Sequence, residues 1–480
     1  MSIQDVWQTT FSFLGSKPVL VEPSEEYLSS DAGLLPLRQF DEKLGLTAGF
    51  SAQLDDRRQS PSHVFLEMVR SRVFGILAGY EDQNDHDALR SDAVFKLVAG
   101  RLPDAADLAS QPTLSRFENS ITPRMLLQLE EWFIQQFVHS FAEIPAQLTL
   151  DADVYDDPTH GQQQLTFFHG FYEQYQYLVR VFTCAQNDHV ILPVLLHGTA
   201  RASLAVEPDL RRIVQGLRAV RPDVRIHFRV DSGFAAPSVY DECETLGIEY
   251  TIGLPMNPVL KRESEACLQQ AVAAFEQTGE PQRLFVALDY QAASWRTPRW
   301  VVVKCEANAQ GTNRRAIVTN RPGARVCLQG AYDDYAERGE SENRNKELKR
   351  GLLADRLSDH RYMANCFRMF LHCLAHQILV RVRQTLPEPE LPKLGEDLPR
   401  EALAGYQRRR GFNHRRQADP LGEGHPCTWR LMLIKVAAWI TVSARRVVVR
   451  LSGSWPYLDF YRQVSDAVLA FVPPPAPSTS

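Results

Sequence analysis

The hydrophobic period of the chain changes near residue 147, and nothing else in the sequence constrains the fold as much. Before that point, runs such as "SHVFLEMVRSRVFGILAGY" and "RMLLQLEEWFIQQFVHSF" repeat apolar residues at helical spacing. After it, "QLTLDADV" alternates, with Leu148, Leu150, Ala152 and Val154 on one face and Thr149, Asp151 and Asp153 on the other. "LTFFHGFYE", "YLVRVFTCA" and "HVILPVLLHG" read as further strands. A helix over 205–220, the strand "VRIHFRVD", a helix over 237–246 and the strand "IEYTIGL" follow. Three antiparallel-looking strands followed by helix–strand alternation predict an α/β domain behind a helical one.

These patterns divide the chain. Residues 1–145 form a helical N-terminal domain behind a poorly structured lead over 1–28, and 146–255 form the first part of an α/β core. Residues 256–328, with "RLFVALDY", "RWVVVKCEA" and "RRAIVTN", read as a β-rich insertion. The second part of the core spans 329–386, with helices over 335–349 and 359–385. In the latter, "CFRMFLHCLAHQILVRV" is apolar enough to be a buried core helix. A proline-rich loop, "PEPELPKLGEDLP", opens a basic C-terminal region over 387–470, and 471–480 read as a disordered tail. In "QPTLSRFEN", Thr113 and Ser115 are positioned to cap a short helix that carries Arg116.

No stretch approaches the roughly 18 apolar residues of a membrane span, and no secretory signal opens the chain. The eight cysteines are scattered without a CxxC pair, which argues for free thiols in a reducing cytoplasm and against a zinc cluster. The net charge of −5 is unevenly spread. Residues 400–450 carry eleven Arg and Lys against three acids, including "QRRRGFNHRR" with Arg408, Arg409 and Arg410. Such a patch suits a polyanion, although a solvated basic face has the same composition.

The polar segment "YAERGESENRNKELK", 335–349, has no apolar stripe. On a helix, Tyr335, Arg338, Glu342 and Lys349 fall within about 60° of one another. Such a stripe suits a carboxylate holding a metal while the cations grip phosphates. It also suits an ordinary surface helix stitched by i,i+4 ion pairs. Two other acid sites bear on the choice. Asp151 and Asp153 share one face of a strand, and Asp231 ends another in "RVDSGF", where α/β sheets tend to hold ligands. His160, in "DDPTHG", lies near the first pair and suits either an orienting role or a loop-stabilising one. His372 and His376 lack the glutamate of a zinc-binding H-E-x-x-H helix and read as packing residues.

The spacing of Tyr335, Arg338, Glu342 and Lys349 resembles the Y-(2)-R-(3)-E-(6)-K signature of DDE transposases of bacterial insertion sequences. "QPTLSRFEN", "LDADVYDDPTHG", "RVDSGF" and the basic C-terminal region resemble the insertion-sequence 1380 family. The resemblance implies an RNase H-like core interrupted by a β-rich insertion, and cleavage at terminal inverted repeats with transfer of the 3′-hydroxyl strand. It implies Asp153, Asp231 and Glu342 as ligands of two Mg²⁺ ions, with Mn²⁺ able to substitute and Asp151 as the alternative first acid. Tyr335, Arg338 and Lys349 would contact DNA. Arg116 would help the N-terminal domain read the transposon ends, and Arg408, Arg409 and Arg410 would follow the backbone. Double-stranded DNA, a dimer on DNA and a bacterial, nucleoid-associated setting complete the expectation. Three rivals remain: a decayed DNA-binding relative, a general RNase H-like nuclease and a haloacid-dehalogenase-type phosphatase. Tyr155 breaks the phosphatase motif in "DADVY".

Overall fold

The alternation that starts at residue 147 builds a long strand, β1, Gln147–Pro158. A computed structural model of the protein describes residues 8–13, 17–24, 26–387 and 425–474. In it β1 lies inside a nine-stranded sheet with β2 (Phe167–His169), β3 (Gln174–Cys184), β4 (Val190–Leu196), β5 (Arg225–Val230), β6 (Glu249–Leu254), β7 (Gln282–Tyr290), β8 (Arg299–Asn308) and β9 (Gly311–Thr319). The order is β7-β8-β9-β6-β5-β1-β3, with both β2 and β4 pairing with β3. β1 runs antiparallel to β3 and parallel to β5, and β5 runs parallel to β6. The fold is mixed α/β with a large mixed sheet, as the pattern predicts.

Four helices of the N-terminal region matter to its packing: α1 (Leu34–Leu44), α2 (Phe65–Ala78), α3 (Gln111–Asn119) and α4 (Pro123–Val138). Next come α5 (Val206–Val220), α6 (Pro237–Thr245), α7 (Glu265–Thr278), α8 (Leu328–Ala336), α9 (Gly339–Lys346), α10 (Tyr362–Arg383) and α11 (Leu458–Ala470). Helices α5 and α6 cover one sheet face, packing Leu210, Ile213 and Val239 with Leu148, Leu150 and Phe228. Helix α10 covers the other face. Its Phe370, Leu374 and Ile378 share a core with Tyr155, Val179 and Val181 of the sheet and with α1 and α2. α10 is buried on every side from Ala364 to Val382 because helices surround it on the side away from the sheet, and each large apolar side chain so buried contributes roughly 1.5–3 kcal/mol.

The structure departs from the sequence reading where tertiary pairing overrides local pattern. The presumed lead contains a small hairpin, Thr9–Phe11 with Val19–Val21, and Tyr27–Ser29 pairs with Ala438–Val442 near the other end of the chain. From residue 425 the C-terminal region folds back into the helical domain, burying Trp429, Phe460 and Val464 in its core. The β-rich insertion extends the main sheet, because β9 pairs antiparallel with β6, and it carries the unforeseen helix α7. "LTFFHGFYE" supplies only three strand residues. Ser110, in extended conformation, occupies the N-cap of α3, while Thr113 and Ser115 lie inside the helix.

The expected helix over 335–349 is broken at Glu337–Arg338, where Arg338 N–H donates to Tyr335 O and Ser341 N–H to Arg338 O in tight i,i+3 turns. Gly339, a weak helix former, follows immediately. The segment ends in a π-helical turn, Glu347–Gly351.

Candidate active site

Parallel register assembles the centre of the site. The last registered pair between β1 and β5 is Ala152 with Val230, and between β5 and β6 it is Val230 with Ile252. One step further, where the parallel pairing ends although β1 itself continues to Pro158, stand Asp153, Asp231 and Gly253. This end of a parallel sheet is where open α/β folds leave room for ligands. Asp231 caps the short turn Ser232–Phe234, its Oδ1 accepting from Gly233 N–H at 2.8 Å. Gly253 is required by close approach: a Cβ there would lie 2.5 Å from the Tyr335 hydroxyl and 2.8 Å from Ser232 N.

Two residues back in β1 and β5, the same register pairs Asp151 with Arg229. Asp151 is only 2% exposed and accepts from Arg229 Nε at 2.8 Å and Nη2 at 3.0 Å. Arg229 Nη1 also donates to the Asp334 carbonyl, at 2.6 Å. Arg229, held by Asp151, therefore ties the sheet to α8, while Asp153 faces the cleft.

Across the cleft lie α8, the break and α9. Arg338 reaches back to both sides: its Nη1 stands 3.5 Å from Asp153 Oδ2 and its Nη2 2.8 Å from Glu342 Oε1. Burial, together with the charges of Asp231 and Glu342, pushes the Asp153 carboxyl up to about 6, against the opposing pull of Val154 N–H and Arg338. Glu342 is 47% exposed. Lys349 pairs with Asp156 of β1, which also accepts from Gln174 Nε2 at 2.8 Å.

The π-helical turn is anchored from below. Glu347, buried, meets Arg344 Nη1 at 2.7 Å, His376 Nε2 at 3.0 Å and Arg383 Nη2 at 3.4 Å. Burial opposes its ionisation, but these partners prevail and hold its carboxyl at about 2. His372 Nδ1 is 3.0 Å from Leu352 O. Both histidines of α10 thus hold the end of the site helix, consistent with the packing role read from the sequence.

Two clefts, of about 290 and 550 Å³, meet at Asp231, Arg338 and Glu342. Asp153, Lys346, Lys349 and Arg350 border the smaller. Tyr335, Gly253, Lys304, Arg314 and Arg315 border the larger. The acids therefore sit between two basic banks. Sequence reasoning missed Lys346 and Arg350, which a wider search of the polar helix would have found. It also missed Lys304, Arg314 and Arg315, whose position depends on β9 pairing with β6. His160 is exposed and borders neither cleft, and Arg116 is exposed on α3, donating to Thr113 Oγ1 at 3.0 Å. Arg408, Arg409 and Arg410 lie outside the described residues.

Among the described residues, no three His, Cys, Asp or Glu side chains are drawn together as a ready-made metal cage. The donor chemistry nonetheless fits a hard divalent cation: Asp153, Asp231 and Glu342 offer only oxygen, and two of them raise the Asp153 pKa, a tension a cation would relieve. Arg338 stands between two of these acids, so a cation shared by Asp153 and Glu342 would displace it.

An α/β protein with three acids from separate elements, facing one another between basic walls, is the class this geometry defines. Residues 11–394 match the transposase DDE domain family, group 1, and the chain belongs to that family. No curated protein matches the sequence. Among solved structures, a cryo-EM structure of the piggyBac transposase synaptic complex with hairpin DNA is similar at 11% identity and a TM-score of 0.41, over 74% of this chain and 77% of that one.

Proposed function

We propose that the chain is a metal-dependent transposase that cuts DNA at the terminal inverted repeats of its own insertion sequence, of the 1380 group, and joins the freed 3′-hydroxyl to target DNA. Family membership supports the reading, and one observation carries it: Asp153 and Asp231 stand side by side just beyond the parallel pairing of β1 with β5, with Glu342 across the same cleft. The order β4-β3-β1-β5-β6, antiparallel and then parallel, supports an RNase H-like core, with β7 to β9 as its insertion.

Asp153, Asp231 and Glu342 would hold two Mg²⁺ ions, for which Mn²⁺ can substitute. Bound there, the ions would activate the attacking water or 3′-hydroxyl and stabilise the leaving oxygen. Arg338 would exchange its carboxylate partners for a DNA phosphate, and Lys346, Lys349 and Arg350 would hold the backbone beside it. Tyr335, packed against Gly253, would border the strand on the other side. Joining two ends requires two copies of the chain on DNA.

The test is cleavage of a duplex carrying the ends that flank the gene, in Mg²⁺. The expected products carry 3′-hydroxyls. Glu342→Gln is expected to keep DNA affinity and to lose cleavage by at least about a hundredfold. Undiminished cutting by both Glu342→Gln and Asp231→Asn overturns the reading.

A further inference from the structure

From β2 into the start of β3 the chain spends an unusual number of aromatic residues on solvent. Phe171 is 82% exposed, Tyr175 59% and Phe168 51%, and Tyr172 is half-buried beside them. Isolated exposed apolar residues need no explanation, but a contiguous group on one hairpin marks a contact surface. The backbone is held for this display. Leu165 (φ 62°) and Glu173 (φ 54°) adopt the left-handed conformation that residues with a Cβ rarely take. Glu173 N–H donates to His169 O at 2.8 Å, closing the turn that carries Phe171 and Tyr172. The Phe171 ring stands edge-on to Tyr172, with centroids 5.0 Å apart at 88°, and His169 packs on Tyr172 from 5.0 Å.

The hairpin is tied to the acid cleft. Gln174, next but one to Tyr172, donates to Asp156, and Asp156 takes Lys349. Tyr172 packs on the same small apolar cluster as Val154 of β1, the residue next to Asp153. The hairpin that carries Phe171 and Tyr172 is thus joined through Gln174 and Asp156 to Lys349, one of the cations that border the smaller cleft.

We propose that Phe171 and Tyr172 form a stacking platform for an unpaired nucleobase of the DNA strand whose phosphate lies at the acids. The proposal rests on the DNA reading above. Its occupant follows from chemistry: the neighbouring cations select a polyanion, and a nucleobase is the flat apolar group such a chain carries. A duplex keeps its base faces inside the stack, so only an unpaired or terminal base can offer one to a protein ring. Stacking is also tolerant of base identity, which suits a platform with few hydrogen-bonding groups directed at the ligand.

The test uses the full chain and two fluorescein-labelled probes: a blunt duplex of arbitrary sequence, and the same duplex with a single-stranded thymidine tail. Wild type is expected to bind the tailed probe about tenfold more tightly. 2-Aminopurine placed in the tail should lose fluorescence on binding. Phe171→Ala with Tyr172→Ala is expected to abolish both the preference and the quenching while leaving blunt-duplex affinity unchanged, which also reports that the variant is folded. Phe171→Trp should keep both. Equal binding of the two probes by wild type, or a preference surviving in the double alanine variant, overturns the platform alone. So does a loss of self-association in that variant with the preference intact, which would make the hairpin an interface between copies. Failure of wild type to bind either probe overturns the DNA reading and the platform with it.

Discussion

Asp153 and Asp231 occupy adjacent positions on neighbouring parallel strands, one step beyond their last registered pair, Ala152–Val230. With the Asp153 side chain only 13% exposed, two carboxylates so placed repel each other, and that repulsion adds to burial in raising the Asp153 pKa to about 6. The usual aspartate value is 3.8. Because the folded-state pKa is the higher, the group favours the folded state most fully below pH 3.8, and this contribution is lost as pH rises through about 6. The difference is on the order of 3 kcal/mol. Asp153→Asn should therefore raise stability near neutral pH and flatten the pH dependence of Tm between about 4 and 6. Metal binding needs the carboxylate, so wild-type cleavage should rise through about pH 6. Chemical denaturation and single-turnover cleavage across that range check both halves. A wild-type Tm profile matching that of Asp153→Asn speaks against the repulsion.

The outer boundary of this row is Gly253. Gly253→Ala inserts a methyl group 2.5 Å from the Tyr335 hydroxyl and 2.8 Å from Ser232 N, so either α8 or the turn after Asp231 must move. The expected cost is about 1–3 kcal/mol of stability, with a loss of cleavage larger than the loss of DNA affinity. Adding Tyr335→Phe removes one of the two clashing atoms and should recover only part of the stability, because Ser232 N remains. Thermal unfolding of the single and double variants measures this, and full recovery would falsify the role assigned to the turn.

His376 supports the site from the opposite side of the helix. Removing its Nε2 from Glu347 in His376→Ala leaves a buried carboxylate with one partner fewer, at a cost of roughly 1–3 kcal/mol. The Glu347 pKa is depressed to about 2, below the usual 4.5, so its stabilising contribution is present above pH 4.5 and lost as pH falls through about 2. The destabilisation by His376→Ala should thus be present above about pH 4.5 and shrink as pH falls towards 2. A Tm difference that stays constant from pH 7 to pH 2 argues against the linkage.

How much of this was legible beforehand depends on the range of the interaction. β1 was readable because alternation is local, and the relation of Arg338 to Glu342 because four residues make one helical turn. The different surroundings of Asp151 and Asp153 were not readable, since both point to one face of β1; they depend on Arg229 of the neighbouring strand, which pairs with Asp151. Gly253 carries no local signal at all, because its requirement arises only where β6 meets both Tyr335 and the Asp231 turn. Lys304 and Arg315 join the cleft through the pairing of β9 with β6, and pairing between segments separated by about 65 residues leaves no periodicity to find. Helix α7 was overlooked because strand-like runs on its C-terminal side set the character of the whole region.

Arg338 supplies the last expectation. Its guanidinium lies 3.5 Å from Asp153 and 2.8 Å from Glu342, two of the three acids proposed to hold metal. Cation and guanidinium then compete for the same oxygens, and whatever draws Arg338 away strengthens metal binding by the same factor with which metal releases Arg338. Arg338→Gln removes the competitor, so it should tighten Mn²⁺ binding to the DNA-free protein by about three- to thirtyfold, as measured by electron paramagnetic resonance of free Mn²⁺. The same variant loses the side chain proposed to grip a DNA phosphate and should bind and cleave DNA less well. In wild type, DNA should tighten Mn²⁺ binding, and in Arg338→Gln that enhancement should be reduced. Mn²⁺ affinity that is the same in both proteins without DNA would mean that Arg338 does not guard the acids.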